Sequence, residues 1–414
     1  MKRSSWRWMD LNYDLVIVGA GPGGTSTAIS ALKAGGKVMI LDRKTNVGVP
    51  VQCGEAIGKT GPSLAEIDVP KRAVMNPIRG FKIFSPNLTP VVYAKNEAEG
   101  FIVDRRVFDK ELLVRACELG ADVMVGANVV DLVYEDGKVS GVVARCFGEK
   151  VEVRGEVIVG ADGVNSTVAR ISGLRKFIKP RDLDTSAQFE MVGVNIEEVD
   201  LMEFYLGSKV APRGYVWVFP KSENRANVGI GIGAGMGEKT AYGYLMDFIK
   251  NNPRGKELCK DAKPIEFRVG AIPLGGPNPK NVADGLMLVG DAAGQVHPIT
   301  GGGVGYAIVC GSIAGKVAME CIEKGDVSEK ALSKYESLWR EKYGHEFSQM
   351  LALRNLLEET DDEVLDDLAK ILTGENVVDL TAGKKIGVVL RAAAKGNVKL
   401  LRLLNELRKL QLIQ

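Results

Sequence analysis

Histidine and paired cysteine are nearly missing from this chain. Two histidines, His297 and His345, and six cysteines are spread over 414 residues, and no two cysteines stand as a CxxC pair. That excludes a zinc site and a disulfide scaffold, and no metal is expected. Apart from Cys53, the cysteines read as small buried hydrophobes in a reducing cytosol. Excess charge of one sign is missing as well: the net charge is +2, which argues against a nucleic-acid binder that works by bulk electrostatics. No apolar run approaches bilayer length. The basic segment Met1 to Asn12, with Trp6 and Trp8, has no apolar stretch of the signal-peptide kind. It is either a loose extension or sequence upstream of a start at Met9, and the function it could carry is a weak membrane-surface contact. The expected location is cytoplasmic, with peripheral contact at the inner face of the membrane.

What the chain has is glycine. The 49 glycines fall largely in clusters, as tight backbone turns around a ligand require. Apolar content of 45% and charged content of 26% are those of an ordinary globular protein, and the length suffices for more than one domain.

Tyr13 to Val18 reads as a buried parallel strand, and Gly19-x-Gly21-x-x-Gly24 follows it. A small-residue helix (25–35) and a second strand (37–41) ending at Asp42 complete the dinucleotide-binding order. Gly19 permits the turn, Gly21 lets the backbone approach a pyrophosphate, and Gly24 lets the helix pack close to the sheet. Asp42 is placed to accept from a ribose hydroxyl. Further along, Asp162-Gly163 and Gly290-Asp291 each follow a strand, and a glycine cluster at 301–303 opens a helix over 304–323. Residues 185–233 alternate as antiparallel strands do. The parts are interleaved. The fold expected is α/β: a Rossmann-like FAD-binding domain (10–80, 100–180 and 280–327), an inserted antiparallel β-sheet substrate domain (81–99 and 181–279), and a helical C-terminal region (328–414).

The triple pattern resembles the flavoprotein family that includes aromatic hydroxylases, over about residues 13–320, and this resemblance makes the cofactor FAD. Tyr215-x-Trp217-x-Phe219-Pro220, followed by Gly229-x-Gly231, narrows it: the chain resembles the archaeal geranylgeranyl reductases. On a strand, Tyr215, Trp217 and Phe219 share one face and would offer an aromatic wall to an apolar isoprenoid lipid chain. Gly229 to Ala234 imitates a nucleotide turn but has no acid at the required distance, so it reads as close sheet packing. No dedicated NAD(P)H fold is evident.

The resemblance carries further residues. It implies that the loop with Cys53, Gly54 and Ala56 reaches the flavin, and that Cys53 is catalytically important, as a proton donor or as a conformational gate. It implies that Arg105 contacts FAD, that Ala127 lies near adenine, and that Asp291 meets the ribityl or pyrophosphate region. Gly303 and Val304 would lie against the isoalloxazine at a helix N-terminus. Glu55, His297 and Tyr306 remain further candidates. The activity implied is reduction of isolated C=C bonds in geranylgeranyl chains of archaeal ether lipid precursors, with NADPH, ferredoxin or a deazaflavin as electron donor. Two alternatives stand beside it: a flavin-dependent monooxygenase or halogenase, and an electron-transfer flavoprotein feeding a membrane quinone. The basic, amphipathic tail from Lys384, with Val398, Leu401, Leu404 and Leu407 at helical spacing, suits either an anionic membrane surface or the protein body.

Overall fold

Leu15 to Val18 has no charged side chain, and both of its faces are covered: Leu15 and Ile17 lie in one apolar cluster, Val16 and Val18 in another on the opposite side. In the computed structural model, which describes residues 12–373 together with 399, 405, 406, 408 and 409, it lies in the strand Asn12–Val18. Its neighbours are Val38–Asp42 and Glu149–Gly160, both parallel to it. Asp122–Val125 and Leu286–Leu288 extend this parallel core outward on either side. The hairpin strands Ala127–Glu135 and Lys138–Cys146 hang from Glu149–Gly160. The Met1–Leu11 segment and nearly all of the basic tail lie outside the described residues.

A second sheet has seven strands among the described residues. Its order is Lys263–Pro273, Leu183–Val192, Arg225–Gly233, Tyr215–Ser222, Leu201–Tyr205, Gly80–Phe84, Pro90–Ala94. The pairing is antiparallel except where Leu201–Tyr205 runs parallel to Gly80–Phe84. These two strands are separated by more than 100 residues, so a parallel crossover is available to them. The periodicity of 185–233 carried no trace of that pair. A small sheet of Ala56–Gly58, Gly100–Val103 and Val74–Ile78 sits beside the aromatic strand.

Two helices hold the parallel sheet in register with the site. Pro22–Lys33 carries Thr25, Ser26, Thr27 and Ser30, all buried. They are small enough for the helix Val304–Glu323 to approach almost backbone to backbone: a Cβ on Gly311 would stand 2.4 Å from the Gly23 carbonyl oxygen. The hydroxyls are satisfied within the contact. Ser26 Oγ donates to the Ile308 carbonyl at 2.5 Å, and Ser30 and Ser312 bond at 2.9 Å. Val304–Glu323 is, by length and composition, a helix that could cross a membrane, unlike any run noted in the sequence. Yet 61% of its apolar window is buried against the protein, as befits a core helix.

The C-terminal part is helical where described, over Glu329–Glu358 and Asp362–Leu372. Arg354 and Arg213 fasten it to the second sheet. Both reach Asp184, at 3.7 and 3.0 Å, and Arg354 Nη1 donates to the Leu274 carbonyl at 2.6 Å.

Candidate functional site

A cleft of ≈ 400 Å³ runs from the carboxyl ends of the parallel strands to the inner face of the second sheet. At its first end, Gly19 adopts φ +108°, and a Cβ there would lie 2.3 Å from the Ala161 carbonyl oxygen, so only glycine serves. Asp42 clamps this turn to the end of the second strand. Its carboxylate accepts from the Ala20 and Lys44 backbone N–H groups, each at 2.7 Å. A carboxylate has about four acceptor positions, so capacity is left for a ribose hydroxyl.

Gly21 lines the cleft, and a Cβ on it would meet no protein atom within 4 Å. Gly21 caps Pro22–Lys33 and Gly303 caps Val304–Glu323, both without a side-chain hydrogen bond. The helices beginning at Arg105, Ala241 and Glu329 are each capped by a side chain. Two helix N-termini thus present bare N–H groups to one cleft, which suits an anionic, phosphate-bearing cofactor. Gly24 lies off the cleft, packed so tightly that a Cβ would stand 1.9 Å from the Gly19 carbonyl oxygen.

The two acidic motifs meet through Arg175, which the sequence did not single out. Its Nη1 donates to the Asp291 carbonyl at 3.0 Å and its Nη2 to the Val164 carbonyl at 2.6 Å. Asp162 is already occupied: it accepts from Ser166 Oγ at 2.5 Å and from the Thr167 and Val168 N–H groups at 2.7 and 3.1 Å, capping the short helix Thr167–Ile171. Burial raises the Asp162 pKa despite these bonds. Burial also raises that of Asp291, against the pull of Arg105 and Arg175. Both line the cleft, as does Ala127.

Arg105 also lines the cleft, but its guanidinium is engaged. Nε and Nη2 donate to Asp109 at 2.8 and 2.9 Å. Burial works to lower its pKa. Asp109 and then the Cys53 sulfur, which lies beside the guanidinium, outweigh burial and raise it.

Cys53, Gly54 and Trp217 line the same cleft, as do Gly303 and Val304. The half-buried Cys53 sulfur accepts from the Glu55 backbone N–H at 3.2 Å. Gln188 joins the cysteine loop to the aromatic strand: its Nε2 donates to the Cys53 carbonyl at 3.2 Å, and its Oε1 accepts from Trp217 Nε1 at 2.8 Å. Tyr215, Trp217 and Phe219 do share a face, with neighbouring ring centroids 6.0 Å apart, and only Trp217 lines the cleft. Phe219 packs under the loop, where a Cβ on Gly54 would stand 2.8 Å from its ring. Ala56 begins a strand and packs on the same aromatic cluster, off the cleft. Tyr215 donates its hydroxyl to the Thr300 carbonyl. His297 Nδ1 accepts from the Ile299 and Thr300 N–H groups at 3.3 and 3.2 Å, and burial lowers its pKa. It is therefore a neutral imidazole that shapes the loop before Gly301.

Beneath the cysteine loop lies a buried ionic network. Glu55 Oε2 accepts from Lys221 Nζ at 2.5 Å, from Arg268 Nη1 at 2.7 Å and from Asn227 Nδ2 at 2.7 Å. Glu190 Oε2 accepts from the same two cations, at 2.9 and 2.7 Å. Sequence reasoning missed all but Glu55. A signal was present: Lys221 follows 215, 217 and 219 at period two, and so falls on the face expected to be apolar.

The description "geranylgeranyl reductase catalytic domain" matches residues 182–272, and "pyridine nucleotide-disulphide oxidoreductase" matches 13–195. A digeranylgeranylglycerophospholipid reductase from Methanocaldococcus jannaschii is 42% identical over 367 residues, 88% of this chain and 91% of that protein. A solved geranylgeranyl bacteriochlorophyll reductase-like protein from Thermoplasma acidophilum superposes with TM-score 0.87 at 33% identity, covering 96% and 99% of the two chains. The myxobacterial chondrochloren halogenase, at TM-score 0.71, 20% identity and coverage of 95% and 96%, shares the fold. The chain belongs to the digeranylgeranylglycerophospholipid reductase family and is an FAD-dependent oxidoreductase.

Proposed function

We propose that this protein saturates isolated C=C bonds in the geranylgeranyl chains of archaeal ether lipid precursors, with the chain lying along Trp217 and the proton coming from Cys53. One observation carries this reading: Gln188 ties the Cys53 backbone to the Trp217 indole on a single cleft. The domain division expected from sequence fits it, with residues 10–80, 100–180 and 280–327 around FAD and 81–99 and 181–279 around the lipid. Gly19, Gly21, Asp42, Arg105, Ala127 and Asp291 would hold the cofactor, together with Gly303 and Val304 on the same cleft.

FAD, when bound and reduced, would supply the hydride for one alkene carbon. The other carbon takes the Cys53 proton, and the thiolate left behind faces the Arg105 guanidinium and the Glu55 N–H before solvent returns a proton. Glu55 and Glu190 are not proton sources. Burial alone would raise their pKa values, but Lys221 with Arg268, and Lys221 with Arg225, hold them below the ordinary range. An isolated alkene develops no oxyanion, so the protein works by alignment and by excluding water. The electron donor is a reductant such as NADPH, ferredoxin or a deazaflavin, and the enzyme works in the cytoplasm at the inner membrane face.

The Cys53→Ala variant tests the proton assignment. Expected is retained FAD and a fall in kcat of about 100-fold, within the range of general acid catalysis; wild-type turnover would contradict it.

A further inference from the structure

Glu55 has a backbone that its side chain must justify. It adopts φ +74° without being glycine, a strained conformation that persists only where the surroundings over-determine it. Its side chain is fully buried, and every polar group of the residue is engaged. The N–H donates to Cys53 Sγ at 3.2 Å, and the carbonyl accepts from Val103 N at 2.9 Å. Oε1 accepts from the Arg105 backbone N–H at 2.9 Å, and Oε2 takes Asn227, Arg268 and Lys221.

These partners come from separate places in the chain. Arg105 opens the helix after the small sheet; Lys221, Asn227 and Arg268 stand on three strands of the second sheet. Asn227 also donates to the Gly54 carbonyl at 3.0 Å. The carboxylate therefore fixes the rotation of residue 55, and that rotation aims the N–H at the sulfur. A network serving stability alone would not need a left-handed backbone. Replacing buried ion pairs by apolar side chains is often neutral or stabilising.

We propose that Glu55 is a positioning residue for Cys53: its buried ion pairs with Lys221 and Arg268 hold the cysteine loop so that the sulfur stays on the Glu55 N–H and at the Trp217 end of the cleft. This rests on the reading of Cys53 as the reacting thiol. Glu55 does not line the cleft and acts through the loop.

The test is the rate of Cys53 alkylation by iodoacetamide in the FAD-bound enzyme without lipid, read by peptide mass, beside steady-state kinetics. In Glu55→Gln, alkylation is expected to rise at least about threefold as the sulfur leaves its donor, and kcat to fall about tenfold with KM within about twofold, the signature of lost alignment. If Glu55→Gln does not fold, Asn227→Ala, which removes two loop bonds without unpairing a charge, carries the same expectation in alkylation. An alkylation rate unchanged or lowered overturns the proposal, whatever happens to thermal stability. Cys53→Ala separates the two ideas: wild-type turnover in that variant sinks the proton-donor reading, whereas the alkylation result still decides whether Glu55 sets the position of the sulfur.

Discussion

Trp217 occupies the space that a side chain on Gly229 would need. The two residues pair across adjacent antiparallel strands, and a Cβ at 229 would stand 2.4 Å from the indole Cζ2. The Gly229-x-Gly231 element of the signature thus makes room for the aromatic strand's one residue that lines the cleft.

Gly229→Ala is expected to push the indole off its seat, with an overpacking cost of about 1–3 kcal/mol and a severalfold rise in KM for the lipid. Trp217→Ala is expected to keep FAD bound while lowering kcat/KM for the lipid at least about tenfold. Thermal unfolding, flavin absorbance and steady-state kinetics check both. Full activity in Trp217→Ala would contradict a lipid chain lying along this ring.

Gly19 and Gly21 should separate folding from cofactor binding. Gly19→Ala meets a forbidden φ and the Ala161 carbonyl together, and is expected to lose roughly 3 kcal/mol of stability. Gly21 has φ −75°, open to any residue, and no protein atom near its Cβ position. Gly21→Ala is expected to leave the apoprotein within about 0.5 kcal/mol of wild type while FAD binds at least about tenfold more weakly. Titration of apoprotein with FAD and urea unfolding decide the matter.

The buried network should show itself in acid. Glu55 and Glu190 have folded-state pKa values below their ordinary 4.5. Their stabilisation is complete above about pH 4.5 and is lost as pH falls through the lowered folded values. Asp162, Asp184 and Asp291 are shifted upward by burial and contribute the opposite slope, so a difference measurement is needed. The gap in unfolding free energy between wild type and Glu190→Gln is expected to be constant from pH 7 to 5 and to shrink below 4.5. A gap that stays constant to pH 3 would contradict the network's ionisation.

How far the sequence could be read follows from the range of each interaction. The turn at Gly19, the clamp at Asp42 and the opening of the helix at Gly303 are local, and a local motif announces them. The parallel strands are announced by uninterrupted apolar runs. Glu55, Lys221, Asn227 and Arg268 meet across sequence separations of up to 213 residues. That meeting depends on the register of four strands, and on an edge strand, Lys263–Pro273, whose alternation is inverted: the apolar Ile265, Phe267 and Val269 are exposed and the charged Arg268 is buried. Arg175 was missed for the same reason: its two carbonyl partners lie 11 and 116 residues away. Tyr215 and Phe219 share the face of Trp217 as alternation required, but the period says nothing of which ring reaches a cleft and which is covered by a loop.

The central claim, lipid C=C reduction on this flavin site, is tested most directly by an anaerobic single turnover. The FAD-bound protein is reduced with dithionite and mixed with a geranylgeranyl-bearing ether lipid, and the flavin spectrum and lipid mass are followed together. The account predicts flavin reoxidation in step with a gain of two hydrogens per saturated bond. A flavin that stays reduced with the lipid unchanged, while oxygen restores turnover on an aromatic compound, would contradict it.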